Sequence, residues 1–291
     1  MANTTMKGKI CLITGGTNGI GKSTAAVLAG MGATVVITGR DAPKTARVVE
    51  GIRASSGNKN VDSLLADLSS QEDIRRLVEQ FKSKYSQLHV LLNNAGAAFM
   101  KRQLSVDGIE MTFALNHLAP FLLTNLLLDR LKASAPARII NVSSGAHTSG
   151  KIEFDNLQGE RVYGFGAYPN AKLATILYTV ELARRLEGTG VTVNALHPGV
   201  TATGFGRNNG RVMAALVSIL APLFMRSPAK GAATSIYLAS SASVDSITGK
   251  YFYDSQAIPA AVQAADIAVA RKLWDVSAEM VQLPDRREPS I

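Results

Sequence analysis

Short apolar runs alternate with longer amphipathic stretches along the whole chain. Seven runs, Lys9–Thr14, Thr34–Thr38, Ser63–Ala66, Val90–Asn93, Arg138–Val142, Thr192–Leu196 and Tyr251–Tyr253, have the near-continuous apolar character of strands buried on both faces. The stretches Ile20–Met31, Ala42–Ala54, Gln71–Tyr85, Glu110–Leu131, Pro169–Leu186, Pro228–Ser240 and Val262–Met280 repeat apolar positions at helical spacing. This alternation predicts right-handed crossovers around one parallel sheet of about seven strands, doubly wound with helices on both faces. No repeat, linker or low-complexity stretch divides it, so residues 1–291 read as a single α/β domain.

Composition narrows the function. Hydrophobic residues at 46% and charged residues at 18% describe a globular chain with a large interior. The net charge of +9 invites an anionic partner. Basic residues nevertheless come at most in adjacent pairs such as Lys101-Arg102, Arg184-Arg185 and Arg286-Arg287, without interleaved aromatics, so nucleic acid is not expected. The single Cys11 lies in a strand-like run, and His89, His117, His147 and His197 lack zinc-ligand spacing; neither a disulfide framework nor a metal site is expected. Met1–Lys9 is short and polar, which predicts neither signal peptide nor membrane anchor and points to the cytoplasm.

The first predicted strand runs into Thr14-Gly15-Gly16-Thr17-Asn18-Gly19-Ile20-Gly21 and a helix follows. Glycines let the backbone approach a pyrophosphate, and the helix N-terminus offers unpaired N–H groups, so this is read as the nucleotide turn of a Rossmann fold. Its spacing differs from G-x-G-x-x-G. The second strand ends Ile37-Thr38-Gly39-Arg40, without the acidic residue that would hold the ribose hydroxyls of NAD. Gly39 would leave room and Arg40 can pair with a 2′-phosphate, which favours NADP(H). Asp67-Leu68 and Asn93-Asn94-Ala95-Gly96 close the third and fourth strands at the edge where ligands of such sheets sit. Asp67 there can accept from an adenine amino group.

Tyr168 and Lys172 stand four residues apart in a predicted helix, which stacks a phenol and an ammonium on one face. A nearby positive charge favours phenolate and brings a phenol toward acid/base work. The ordered set TGGTNGIG, Asp67-Leu68, NNAG, Asn116, Ser144, YPNAK at Tyr168–Lys172, and Pro198-Gly199 ending at Thr203 resembles the short-chain dehydrogenase/reductase family along nearly the whole chain. Gly39-Arg40-Asp41, Asn116-His117-Leu118, Asn156–Glu160, Glu181–Leu186, Lys272–Ser277 and the 24-residue separation of Ser144 and Tyr168 are similar to its retinol-dehydrogenase-like branch.

That resemblance implies a catalytic set of Asn116, Ser144, Tyr168 and Lys172. Tyr168 would protonate the substrate oxygen as hydride arrives from nicotinamide C4, with Lys172 lowering the phenol's pKa and bonding the nicotinamide ribose. Ser144 would hold the carbonyl oxygen, although Ser143 could do so on register alone. Asn116 would carry a water-held proton relay to Lys172, or be a buried cap or kink. Cofactor contacts are implied for Gly15, Thr17, Asn18, Gly19, Ile20, Gly21, Arg40, Asp67, Leu68, Asn94, Ala95, Gly96, Tyr168, Lys172, Pro198 and Thr201.

Beyond Thr203, Gly204–Gly210 reads as a hinge, and Val212, Leu216, Ile219, Leu220, Leu223 and Phe224 make an apolar helical face between Arg211 and Arg226. Residues 204–226 are a candidate substrate lid, with core packing or shallow contact with a membrane surface as other uses of the same face. The expected activity is an NADP(H)-dependent carbonyl reductase or alcohol dehydrogenase acting on a small apolar aldehyde, ketone or alcohol. A non-catalytic NADPH-binding sensor or scaffold of the same fold, and C=C reduction or epimerisation, remain as alternatives. Glu110–Leu131 and Pro169–Leu186 could carry an apolar seam into a homo-oligomer.

Overall fold

A computed structural model describes residues 5–200 and 226–283. Among these residues one sheet contains β1 (Ile10–Ile13), β2 (Thr34–Gly39), β3 (Val61–Leu65), β4 (Val90–Asn93), β5 (Ala137–Val142), β6 (Val191–Leu196), β7 (Tyr251–Tyr253) and β8 (Gln256–Ile258). They are arranged β3-β2-β1-β4-β5-β6-β7-β8. β1 to β7 are parallel, and β8 is an antiparallel edge strand. The eight strands exceed the seven expected because β8 follows a two-residue turn at Asp254 and Ser255, both with left-handed φ (47° and 62°). That hairpin geometry usually recruits Asn-Gly or Asp-Gly, so no turn signal marks it.

Seven longer helices pack on the described sheet: α1 (Gly19–Gly30), α2 (Ala42–Ser56), α3 (Gln71–Lys84), α4 (Met111–Ala133), α5 (Ala167–Arg185), α6 (Pro228–Ser240) and α7 (Ile267–Met280). The period-two geometry of a strand divides the core. Leu12, Val36, Leu91, Ile139, Val193 and Tyr251 join the cluster under α3, α4, α5 and α7. Cys11, Ile13, Val35, Ile37, Leu92, Ile140 and Phe252 join the one under α1, α2 and α6. The sheet order reverses direction between β1 and β4, which places a crevice at their carboxyl ends.

Several boundaries move for local reasons. Glu110 precedes α4 as its cap, its carboxylate accepting from the N–H groups of Thr112 and Phe113, each at 2.7 Å. The expected helix Val262–Met280 is split into a 3-10 turn, Val262–Ala265, and α7, because the Asp266 side chain accepts from Val269 N and starts a new helix. α5 begins at Ala167, and Pro169 falls in its first turn, where its missing N–H removes no helical bond.

α4 is 23 residues long and apolar enough to cross a membrane by length and composition, but 72% of its most apolar window is buried inside the fold. Part of the apolar seam expected on α4 and α5, around His117, Phe121 and Tyr178, is covered by α7. Trp274 of α7 lies 4.9 Å from Phe121 and 5.8 Å from Tyr178 between ring centroids, and His117 Nε2 bonds Ser277 Oγ at 2.8 Å.

Candidate active site

The glycine turn is fastened to the end of β4 by one hydroxyl. Thr14 Oγ1 accepts from the N–H groups of Asn94 (2.9 Å) and Ala95 (3.0 Å), while Asn94 Nδ2 donates back to Thr14 O (2.8 Å). Thr38 Oγ1 accepts from Gly15 N at 3.1 Å, which ties in β2. Gly21 has a steric reason: a Cβ there would lie 2.5 Å from Gly15 O and from Asn94 Nδ2, so α1 can close onto the turn only without one. Asn18 caps Gly19 N at 2.9 Å. The N–H groups of Ile20 and Gly21 have no partner among the described residues, as suits an anion-binding helix start. Thr17 and Asn18 sit at the open side of this cradle.

Arg40 is exposed and makes no ion pair among the described residues. Its neighbour Asp41 caps α2, Oδ1 accepting from Lys44 N at 2.8 Å. Gly39 does not leave the expected room. A Cβ there would run into Thr45 Oγ1 and stand 2.7 Å from the Thr17 methyl, so this glycine admits the first turn of α2. Asp67 Oδ1 accepts from Ser69 N and Oγ (3.0 and 2.7 Å), and Leu68 is buried, so that turn is built by its own residues.

On α5, Tyr168, Lys172, Thr175 and Thr179 recur at helical spacing and face the carboxyl ends of β4 and β5. The Tyr168 phenol hydrogen-bonds the Ser144 hydroxyl, and Lys172 Nζ lies 5.5 Å from the Tyr168 ring centroid. Ser143 and Ser144 part company: Ser143 Oγ donates to Lys172 O at 2.8 Å, while Ser144 Oγ accepts from Ala146 N at 3.2 Å beside the phenol. Lys172 is buried, donates to Val142 O at 3.0 Å, and has no carboxylate partner among the described residues.

Burial therefore pushes the Lys172 ammonium down to about 7. Burial also pushes the Tyr168 phenol up to about 12, opposed by the Ser144 hydrogen bond. The expected lowering of the phenol by Lys172 is absent here, because desolvation favours the neutral form of each group.

Asn116 lies in a π-helical turn, Ala114–Leu118, inside α4. Its Nδ2 donates to Ala97 O and Thr112 O (2.7 and 2.8 Å), and its buried Oδ1 has no partner among the described residues. Gly96 keeps the gap between Asn116 and Lys172: a Cβ there would stand 2.5 Å from Asn116 Oδ1 and 3.3 Å from Lys172 Nζ. Pro198 follows His197, whose Nδ1 accepts from Gly199 N at 3.1 Å. Thr201 and residues 204–225 of the candidate lid lie outside the described residues; at its end Arg226 pairs with Asp254 and covers the Tyr253 ring.

A polar chain that the motifs do not mark runs through the interior. Asn93 Nδ2 donates to Thr124 Oγ1 and Asn141 Oδ1, Asn141 Nδ2 to Thr179 Oγ1, and Thr175 Oγ1 to Ala171 O and Asn116 O. The available signal was a polar residue near the carboxyl end of otherwise apolar strands: Thr14, Thr38, Asn93 and Asn141. No group of three or more His, Cys, Asp or Glu suited to a metal ion occurs among the described residues.

Residues 9–213 match the short chain dehydrogenase family. The chain is 43% identical over 282 residues to retinol dehydrogenase 11 of Homo sapiens, covering 96% of this chain and 87% of that protein. Among solved structures it is similar to an uncharacterized protein from Mycobacterium Paratuberculosis, with a TM-score of 0.77, 29% identity and coverage of 96% and 95% of the two chains. The Pseudomonas aeruginosa RhlG/NADP active-site complex gives a TM-score of 0.68 at 30% identity, covering 85% of this chain and 95% of that one. With the glycine turn, the serine-tyrosine contact and the lysine behind it in one crevice, this chain belongs to the short-chain dehydrogenase/reductase family, in its retinol-dehydrogenase-like branch.

Proposed function

We propose that the protein is an NADP(H)-dependent oxidoreductase that interconverts an apolar, retinoid-like alcohol and its aldehyde or ketone. The observation that carries this reading is the Tyr168 phenol bonded to Ser144 with a buried Lys172 on the same helical face. The cradle suits the cofactor: open N–H groups at α1, a glycine closure at Gly21, and an unpartnered Asn116 Oδ1 beside Lys172. Exposed Arg40 in place of an acid at the end of β2 favours the 2′-phosphate. The NADP complex of a structural relative points the same way. When bound, the cofactor supplies hydride for the carbonyl carbon.

Ser144 Oγ donates to the carbonyl oxygen and holds it beside the phenol. Tyr168, a neutral phenol whose desolvation raises its pKa further, gives its proton to that oxygen. Lys172, held through its carbonyl by Ser143 and through Nζ by Val142, places its charge beside the phenolate that results. Asn116 Oδ1 and the gap at Gly96 offer a path for returning the proton by way of Lys172. The test is oxidation of NADPH, with NADH in parallel, against apolar aldehydes and ketones graded in size, together with Tyr168→Phe. Turnover with NADPH that disappears in the variant while cofactor binding persists is the expected result. Tight NADPH binding without turnover on any carbonyl would overturn the enzyme reading, and preference for NADH would overturn the role of Arg40.

A further inference from the structure

His147 lies three residues after Ser144, is buried, and has both ring nitrogens engaged. Nε2 stands 3.1 Å from Ala261 N, and a backbone N–H can only donate, so Nε2 must be the unprotonated nitrogen. Nδ1 then carries the proton and donates to Ser144 O at 2.8 Å. The same carbonyl also accepts from His147 N at 3.1 Å. Two donors therefore fix the peptide that follows the serine.

The far end of this link is 114 residues away in sequence, in the segment that leads through Val262–Ala265 to α7. Gln263 makes a second tie between the same two segments, Nε2 donating to Thr148 O (3.0 Å) and Gly150 O (3.3 Å). The imidazole packs edge-on against Tyr251 at 4.7 Å. Local helix formation after Ser144 needs none of these long-range bonds.

We propose that His147 is a positioning residue for Ser144: a neutral imidazole in a fixed tautomer that ties the serine's backbone to the segment entering α7. The kinetic consequence rests on the reductase reading above; the geometry does not. A hydroxyl that must meet both a carbonyl oxygen and a phenol tolerates little displacement.

Two substitutions and one spectrum test this. His147→Phe keeps a ring against Tyr251 and removes both bonds. Ala261→Pro removes only the distant N–H, at a backbone φ of −57° that proline adopts without strain. Turnover number is expected to fall roughly tenfold to a hundredfold in His147→Phe and several-fold in Ala261→Pro, with NADPH affinity unchanged. The double variant should be no worse than His147→Phe alone, because both changes cut one link. In histidine side-chain 15N spectra of the parent protein, His147 should carry its proton on Nδ1 at pH 7, and Ala261→Pro should release that preference. A proton on Nε2, or a His147→Phe variant within twofold of the parent, overturns the proposal. A parent protein inactive on every carbonyl would instead overturn the reductase reading, and the tautomer would still decide the geometry.

Discussion

Lys172 gives the sharpest quantitative expectation, because a buried ammonium without a carboxylate partner must leave its mark on stability. Burial lowers it from 10.5 in the ordinary case to about 7 in the native protein. Between those values the unfolded chain holds the proton and the native chain does not, so native stability rises with pH across that window. Below pH 7 both states hold it, and the full penalty of the buried charge is present. At pH 7 the native group is half titrated and at pH 9 almost fully neutral. Integration over that interval gives a gain of about 2 kcal/mol relative to a variant lacking the amine. Urea unfolding of the cofactor-free parent and of Lys172→Met at pH 7 and pH 9 measures it, since titrating groups remote from Lys172 cancel in the difference. The comparison stops at pH 9 because the phenol raised from 10 to about 12 acts oppositely, with stability lost as pH climbs from 10 to 12. A parent-minus-variant difference that stays flat or falls between the two pH values would refute the desolvation argument and imply an acidic partner or water reaching Nζ.

Gly96→Ala puts a methyl 2.5 Å from Asn116 Oδ1, whose amide is already pinned by two bonds, so a loss of about 1–3 kcal/mol and a fall in turnover of tenfold or more are expected; thermal unfolding and steady-state rates measure both, and unchanged rates would remove that gap from the chemistry. Ser143→Ala should destabilise by about 0.5–1.5 kcal/mol, by removing the side-chain donor to Lys172 O, and lower turnover less than Ser144→Ala, which removes the hydroxyl that meets the carbonyl oxygen; urea unfolding and steady-state rates measure both. Arg40→Ala should raise the KM for NADPH at least tenfold and leave that for NADH alone, as initial-rate measurements with each cofactor will read. Trp274→Ala should destabilise by about 2–4 kcal/mol and promote self-association in light scattering, since it uncovers the seam formed by Phe121 and Tyr178.

Strands and helices were legible because burial on both faces of a parallel sheet leaves long apolar runs, and these survive in β1, β2, β4, β5 and β6 almost to the residue. β8 was not, because three residues with one apolar side chain facing the core carry no period and Asp254-Ser255 is a poor turn signature. The seam on α4 and α5 was legible as apolar but not as occupied, since only tertiary structure shows Trp274 lying over it. At the site, the residue types could be listed from motifs, while their electrostatics could not. A helical step of four places Lys172 beside Tyr168, but the sign of each pKa shift depends on how much water the fold removes. Ser143 and Ser144 are likewise equivalent in sequence, and only the end of β5 decides which one turns toward Lys172 O and which toward the phenol.

The buried polar chain explains how the fold holds a lysine that has no acid to neutralise it. Asn93 and Asn141 sit side by side in β4 and β5, and their amides hand a run of hydrogen bonds to Thr179 and then toward Thr175 O on α5. Thr175 in turn donates to the carbonyl of Asn116 on α4, and Ser143 donates to the carbonyl of Lys172 itself. The face of α5 that presents Tyr168 and Lys172 is thus the face that is bonded to the sheet. An apolar face would pack as well, but a helix held by hydrophobic contact alone can slide or turn by fractions of an ångström at little cost, whereas directional bonds fix its register. A buried amine near neutrality and a phenol near 12 are useful only if their separation is fixed. The polar residues at the strand ends therefore interrupt apolar runs at the places where the fold and the chemistry require the same constraint.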